Sequence, residues 1–441
     1  MAFWCFVVFC IVTVVTLKNK QDIFSPGRFF ILIYSLLLSI SSLNLSALQS
    51  PWAFSTSLLF WGSCSVFISG GIIVFLLKKA MYPFSASPLK SVKRRIEDDA
   101  KKINWNWFYW TWVVCVLVFI AIYLFGFFYT GIIPMFSVNP DKSRIIFLSS
   151  HIIVSVGWFF GPLSLMLATE MVFFATMHKR RKSLVMAFSC VVLALYLTLV
   201  TRLDLFRYFL FAIVLFHYGK KRLSLRHFTF FIAAGLGLFF LMSFSRIKYE
   251  SVNSFATGIK IKMPKQFLWA AGGYAYIANN FWNFDYAVQK YIDGNSYYPR
   301  SFGFELLRPL FFFSRLEGPI ADLHGFDSLY NESVVKVRGF NTIIFIWHFY
   351  KDFGLWGMFL LIFLLGCGLG IFYQNTMERP TLLRIGIWAI FIGMLCFSYM
   401  VPLWSFWFTY MNVGVLLLAH KKMEMSKGPS NNVRSEIPTI A

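Results

Sequence analysis

The chain has 441 residues, of which 58% are hydrophobic and only 14% charged, and its mean hydropathy is +0.65. A soluble fold of this size cannot hide so much apolar side chain, because its surface must stay wettable. The net charge of +22 does not signal nucleic acid, because the Lys and Arg cluster in short segments between apolar runs.

Those runs, about 20 residues each, read as membrane-spanning helices; barrel strands would be short and alternating. In order they cover 2–17, 29–47, 56–77, 107–132, 145–176, 184–201, 203–218, 228–244, 353–373, 385–402 and 403–419. The expected fold class is an all-α polytopic membrane protein with about eleven (10–12) transmembrane helices. The first run lacks the positive start and small-residue cleavage site of a secretory signal, so it reads as a span. Residues 1–244 are expected to form an N-terminal bundle of about eight spans with a basic loop at 78–106. Residues 245–352 read as one long extracytoplasmic loop, 353–420 as C-terminal spans and 421–441 as a polar tail.

Orientation follows from the short loops. Lys18, Lys20 and Arg28 follow the first span, and a cluster from Lys78 to Lys102 follows the third. Lys179 to Lys182, Lys220 to Arg226, Arg379 with Arg384, and Lys421 with Lys422 follow the fifth, seventh, ninth and eleventh. The alternate loops, such as Gln49–Ser55, are nearly free of Lys and Arg. The positive-inside rule then puts the N-terminus outside, the C-terminus in the cytoplasm and the long loop outside. Arg94–Lys102 reads as an amphipathic helix on the cytoplasmic face, with Trp105 and Trp107 at the interface. All seven Cys lie in apolar runs, so neither a disulfide framework nor a metal site is expected. No internal repeat is visible.

Charge at membrane depth is costly and marks functional candidates. Arg202 and Arg207 sit at the outer turn Thr201–Tyr208, where guanidinium groups can grip phosphate oxygens. The bland alternatives are snorkelling, or an Arg202–Asp204 or Asp204–Arg207 pair that only orders the turn. Arg246 ends the eighth span on the same side. Within the loop, aromatic and amide residues alternate through Trp282, Asn283, Asp285 and Tyr286, which suits sugar faces and hydroxyls. The same stretch reads equally as an interfacial amphipathic helix. Farther on come Arg300, Glu305, Arg308, Arg315, Glu317, Asp322, His324 and Asp327, among which Glu305, Glu317 and His324 are candidate bases. Leu306–Phe313 reads as a re-entrant or surface helix. At the return to the membrane, His348 and Asp352 are one helical turn apart, as a base and its orienting carboxylate or as an ordinary contact. There is no Walker A motif for ATP hydrolysis, no HExxH, and no acidic residue in Leu48–Ser55 of the kind many lipid-linked sugar transferases use to bind a metal, so no cofactor or metal is expected.

This arrangement resembles the oligosaccharide repeat-unit polymerases of O-antigen and capsular polysaccharide (the Wzy group). The likeness covers about 185–375. It rests on the paired short spans around Thr201-Arg202 and Arg207, the single long loop after Arg246, and the re-entry from Asn341-Thr342 through Tyr350-Lys351-Asp352-Phe353-Gly354 to Gly370. Some members carry paired Arg…Gly motifs in outer loops; Arg308…Gly318 and Arg315…Gly325 fall one residue short of that spacing. The resemblance implies the O-antigen ligase/polymerase glycosyltransferase fold in a bacterial cytoplasmic membrane. It implies transfer of a growing glycan from its polyprenyl diphosphate to the distal sugar of an incoming lipid-linked unit. Arg202, Arg207, Arg246, Arg308 and Arg315 would hold the diphosphate, and His324, Glu317 or His348 would serve as base. Partners would be lipid-linked oligosaccharides, membrane lipid, a chain-length regulator and a flippase. The competing functions are O-antigen ligase, a flippase for the same lipid-linked sugar, and, more weakly, an acyltransferase.

Overall fold

The computed structural model describes residues 2–81, 89–199, 201–246, 260–296, 298, 300–313, 334 and 342–421. These are all-α. The helices are α1 (Ala2–Lys18), α2 (Pro26–Ser41), α3 (Phe54–Met81), α4 (Leu89–Ala100), α5 (Trp105–Thr130), α6 (Pro140–Ser149), α7 (Ile152–Gly157) and α8 (Phe160–Phe174). They continue with α9 (Lys179–Thr198), α10 (Arg202–Leu215), α11 (Leu225–Arg246), α12 (Ala271–Val288), α13 (Phe304–Phe313), α14 (Phe345–Glu378), α15 (Leu382–Phe397) and α16 (Trp407–Ala419). Among the described residues, five segments are long and apolar enough to cross a membrane: α3, α5, α7 with α8, α9 and α14. The shorter helices α1, α2, α15 and α16 are also apolar. Phe3, Trp4 and Ile11 of α1, Phe75 of α3 and Leu117 and Phe128 of α5 lie exposed, a surface made for hydrocarbon.

Each apolar run of the sequence overlaps helix, but the run at 29–47 leaves helix after Ser41, the run at 385–402 leaves it after Phe397, and one run is interrupted. The run at 145–176 is broken into α6, α7 and α8. His151 adopts extended backbone, and its Nδ1 accepts the Ile153 N–H at 3.2 Å, capping α7. A window of mean hydropathy cannot register such a break, because Ser149, Ser150 and His151 are averaged with the apolar residues on both sides.

The most extensive helix pair is α3 with α14. It closes through glycines. A Cβ on Gly366 would lie 2.2 Å from the Phe67 carbonyl oxygen, and one on Gly70 would lie 2.5 Å from that of Phe363. In lipid, where apolar burial between helices offers little, such backbone approach supplies the packing.

The bundle has two chemically distinct ends. At the basic end, Lys78 pairs with Glu378 at 2.7 Å, Arg95 donates to the Glu378 carbonyl at 2.6 Å, and the Asn104 N–H donates to the Lys421 carbonyl at 3.1 Å. Asp22 is buried here. Its carboxylate accepts from Tyr218 (2.6 Å), Tyr373 (2.7 Å) and the Phe24 N–H (2.9 Å), with His217 Nε2 at 3.4 Å. Burial pushes this carboxyl up, but His217 and the two tyrosines carry it below the usual carboxylate range. Glu170 of α8, fully buried, faces His420 Nε2 at 2.9 Å, while His420 Nδ1 lies 2.8 Å from the Leu416 carbonyl. A carbonyl only accepts, so Nδ1 carries a hydrogen and the Glu170 contact needs a second proton. Burial pulls the His420 imidazole down, yet the Glu170 carboxylate lifts it above its ordinary value.

The other end, called the loop end below, gathers α12 and α13. Residues 260–262 pair with 45–47 through Lys262 N–H to Leu45 (2.8 Å) and Ala47 N–H to Lys260 (2.9 Å). Helix α12 is buried along most of its length against α2 and α3.

Two outcomes follow. Gly366→Ala should cost about 1–3 kcal/mol by overpacking, read as a lower unfolding temperature in detergent. Gly368→Ala, on the open side of the same helix with nothing within 4 Å, should not be destabilising. For His420, the folded value lies above the ordinary one of about 6.5. Its stabilising contribution is therefore complete below that ordinary value and lost as pH rises through the folded value. The melting-temperature gap between the native chain and His420→Gln should thus be wide at pH 6 and narrow at pH 9; an unchanged gap would refute the charged pair.

Candidate functional site

Helix α14 is broken at Gly354, where φ is 70° and ψ −166°. A left-handed φ is open to glycine without strain. The break deprives the carbonyls of residues 350–352 of their helical donors. Residues 300–302 supply replacements: Arg300 Nη1 to Tyr350 (2.6 Å), Ser301 N–H to Lys351 (3.1 Å) and Phe302 N–H to Asp352 (3.0 Å). The Arg300 guanidinium also lies over the Tyr350 ring, 4.2 Å from its centroid.

The chain then turns through Phe302 and Gly303, both at positive φ, into α13. Asp352 caps this helix. It accepts from the Glu305 N–H (3.3 Å), the Leu306 N–H (3.2 Å) and the Ser301 hydroxyl. A carboxylate suits a helix N-terminus both as acceptor and as countercharge. Each segment thus caps the other.

This mutual capping brings charges together. Lys351 and Glu305, both buried, pair at 2.9 Å, and Arg308 stands 3.7 Å from the other Glu305 oxygen. His348 lies one turn before Asp352 and is buried. Its Nδ1 has no hydrogen-bond partner among the described residues. It feels Glu305 as its negative neighbour and Lys351 and Arg308 as its positive ones. Three cations (Arg300, Arg308, Lys351) stand against two carboxylates (Glu305, Asp352), an excess that favours an anion.

A second polar cluster lies at the start of α10. Arg207 is buried, pairs with Asp204 at 3.2 Å and stacks over Phe408 at 4.8 Å. The Asp204–Arg207 pair that the spacing allowed is therefore present. It does not satisfy the whole guanidinium. Arg207 Nη2, Tyr196 Oη and Thr201 Oγ1 are buried without a hydrogen-bond partner among the described residues. Tyr196 lies beside Thr201 and Asp204, and Arg144 adds positive charge near Asp204.

The remaining expected residues are distributed as follows. Arg202 opens α10 and Arg246 closes α11. His324, Glu317 and Arg315 lie outside the described residues. Trp282, Asn283 and Asp285 are buried in α12. Asp285 accepts from the Ala53 N–H (3.1 Å) and the Thr56 hydroxyl (2.7 Å) at the start of α3, and from Gln289 (2.8 Å). Asn283 donates to the Thr342 carbonyl at 2.8 Å. Tyr286, with Lys290 against its ring at 5.6 Å, is the half-buried one of the four. Asp352 faces α13 rather than His348. Tyr196, Arg144 and Lys351 were not singled out from the sequence as ligands. Their one available signal was a polar group inside or at the edge of an apolar run.

Lys351→Met should leave the buried Glu305 carboxylate with only the longer Arg308 contact at 3.7 Å and cost about 3–5 kcal/mol, measured by chemical denaturation in detergent. The double variant Lys351→Met, Glu305→Met should recover most of that loss. Equal damage in both would show that the pair is not the source. No family model, curated protein or solved structure matches this chain, so the role of the site rests on its chemistry.

Proposed function

We propose that this chain polymerises polyprenyl-diphosphate-linked oligosaccharide repeat units at the outer face of a bacterial cytoplasmic membrane. The observation that carries this reading is the Arg207 cluster: Arg207 Nη2, Tyr196 Oη and Thr201 Oγ1 are buried with no hydrogen-bond partner among the described residues. Buried donors without acceptors are costly, and phosphate oxygens relieve that cost through charge-assisted bonds. The Lys and Arg bias of the short loops supports an outer location for this end, with the N-terminus outside and the C-terminus cytoplasmic. The eleven apolar runs, each overlapping helix, support a polytopic fold of the ligase and polymerase kind.

In the proposed reaction an acceptor hydroxyl attacks C1 of the growing glycan. The new glycosidic bond forms as the C1–O bond to the lipid diphosphate breaks. The diphosphate leaves with its charge held by Arg207, with Arg202, Arg246, Arg308 and Arg315 as further ligands. The hydroxyl proton passes to a base drawn from His348, His324 and Glu317. His348 has in its favour a ring nitrogen, Nδ1, without a hydrogen-bond partner among the described residues, set beside Lys351 and Arg308. A chain-length regulator and a flippase are the expected protein partners.

One observation favours a second reading. Glu170 is a buried carboxylate inside an apolar helix, paired with His420, and such groups are common in transporters. A flippase for the same lipid-linked sugar is that alternative. The glycan ladder of a deletion strain separates them: single repeat units on the surface indicate a polymerase, none a flippase, and polymer retained on its lipid carrier a ligase. Within the polymerase reading, Arg207→Ala should abolish long chains and leave single lipid-linked units, and Tyr196→Phe should shorten the chains. Normal ladders from Arg202→Ala, Arg207→Ala and Arg246→Ala at normal expression would sink the diphosphate assignment.

A further inference from the structure

The basic end of the bundle holds a cavity of ≈ 340 Å³. Its polar wall comes from the link between α14 and α15, with Arg379, Thr381 and Arg384, and from His420 at the end of α16. Its apolar wall is Ile103 and Leu383. Asp99 of α4 also lines it, and its carboxylate accepts the Leu382 N–H at 3.0 Å, at the N-terminus of α15.

The cations differ in how they are held. Arg384 Nη1 donates to the Asn375 (3.3 Å) and Arg379 (3.1 Å) carbonyls, so its guanidinium is fixed across the turn. Arg379 is exposed, and its guanidinium makes no hydrogen bond or ion pair among the described residues. Glu378 beside it is already paired with Lys78. His420 faces Glu170 behind the wall. Two guanidinium groups thus stand against the single carboxylate of Asp99. Trp107 lies close by, part exposed, with its indole N–H on the Leu418 carbonyl at 2.8 Å. Aromatic rings with one wet edge are typical of the headgroup layer.

A cavity that is cationic on one side, apolar on the other and level with interfacial tryptophan suits an amphiphile with a phosphate head. Basic pockets between helices at the positive side of a membrane protein take such headgroups. We propose that this cavity binds the headgroup phosphate of an anionic membrane lipid, with Arg379 and Arg384 as its two cationic contacts. The site lies at the opposite end of the bundle from the Arg207 cluster and does not depend on the glycan chemistry.

The test uses the full chain in a zwitterionic detergent. Phosphatidylglycerol, phosphatidylcholine or inorganic phosphate is titrated in while the unfolding temperature is followed. Phosphatidylglycerol should raise it with saturation, and the other two should not. Arg379→Gln removes no side-chain hydrogen bond or ion pair among the described residues, so it should fold normally. It should move the phosphatidylglycerol midpoint about tenfold higher, the worth of one charge-assisted hydrogen bond. An unshifted midpoint in Arg379→Gln would overturn the assignment, and so would equal stabilisation by phosphatidylcholine. Saturation by inorganic phosphate alone would make the ligand a soluble phosphate and overturn the lipid source.

Discussion

The loop end of this molecule depends on one backbone event, the break of α14 at Gly354. An unbroken helix would keep the carbonyls of residues 350–352 within its own ladder. The break releases them, and the segment 300–302 takes them up. That in turn fixes where α13 begins, because Asp352 caps it. Lys351 and Glu305 then meet as a buried ion pair although 46 residues separate them. Two short pieces that could not hold their ends alone are each completed by the other.

The same economy governs the other buried acids. The chain has only 19 Asp and Glu in 441 residues. Several of them join elements remote in sequence. Asp22 ties the start of α2 to Tyr218 and Tyr373, Asp285 ties α12 to the start of α3, and Glu170 ties α8 to the end of α16. In an apolar bundle a carboxylate persists only where donors surround it. These acids are cross-links, and the cost of burying them gives each helix pair a defined register.

Against that background the Arg207 cluster gathers three unpartnered buried atoms at one place. Asp22, Asp285 and Asp352 each collect several donors. Around Arg207, beside Asp204, the Arg207 Nη2, Tyr196 Oη and Thr201 Oγ1 atoms are buried together with no hydrogen-bond partner among the described residues. Three such atoms gathered at one place leave valence that a ligand can fill. This contrast supports treating Arg207, Tyr196 and Thr201 as a site for an anion, and Asp285 and Asn283 as parts of the frame.

The sequence by itself determined the class of molecule: hydropathy and charge placement report helices in lipid directly, because each is a property of contiguous residues. It also allowed the Asp204–Arg207 contact as one of several options, since helical residues three apart are neighbours in any helix. Only the tertiary structure decided that the 145–176 run is three helices, that Asp352 serves α13, and that α12 is buried between α2 and α3. Amide, acidic and aromatic side chains have the same composition whether they grip a sugar or cap a helix. What separates the two is which backbone ends lie within reach, and chain folding alone settles that.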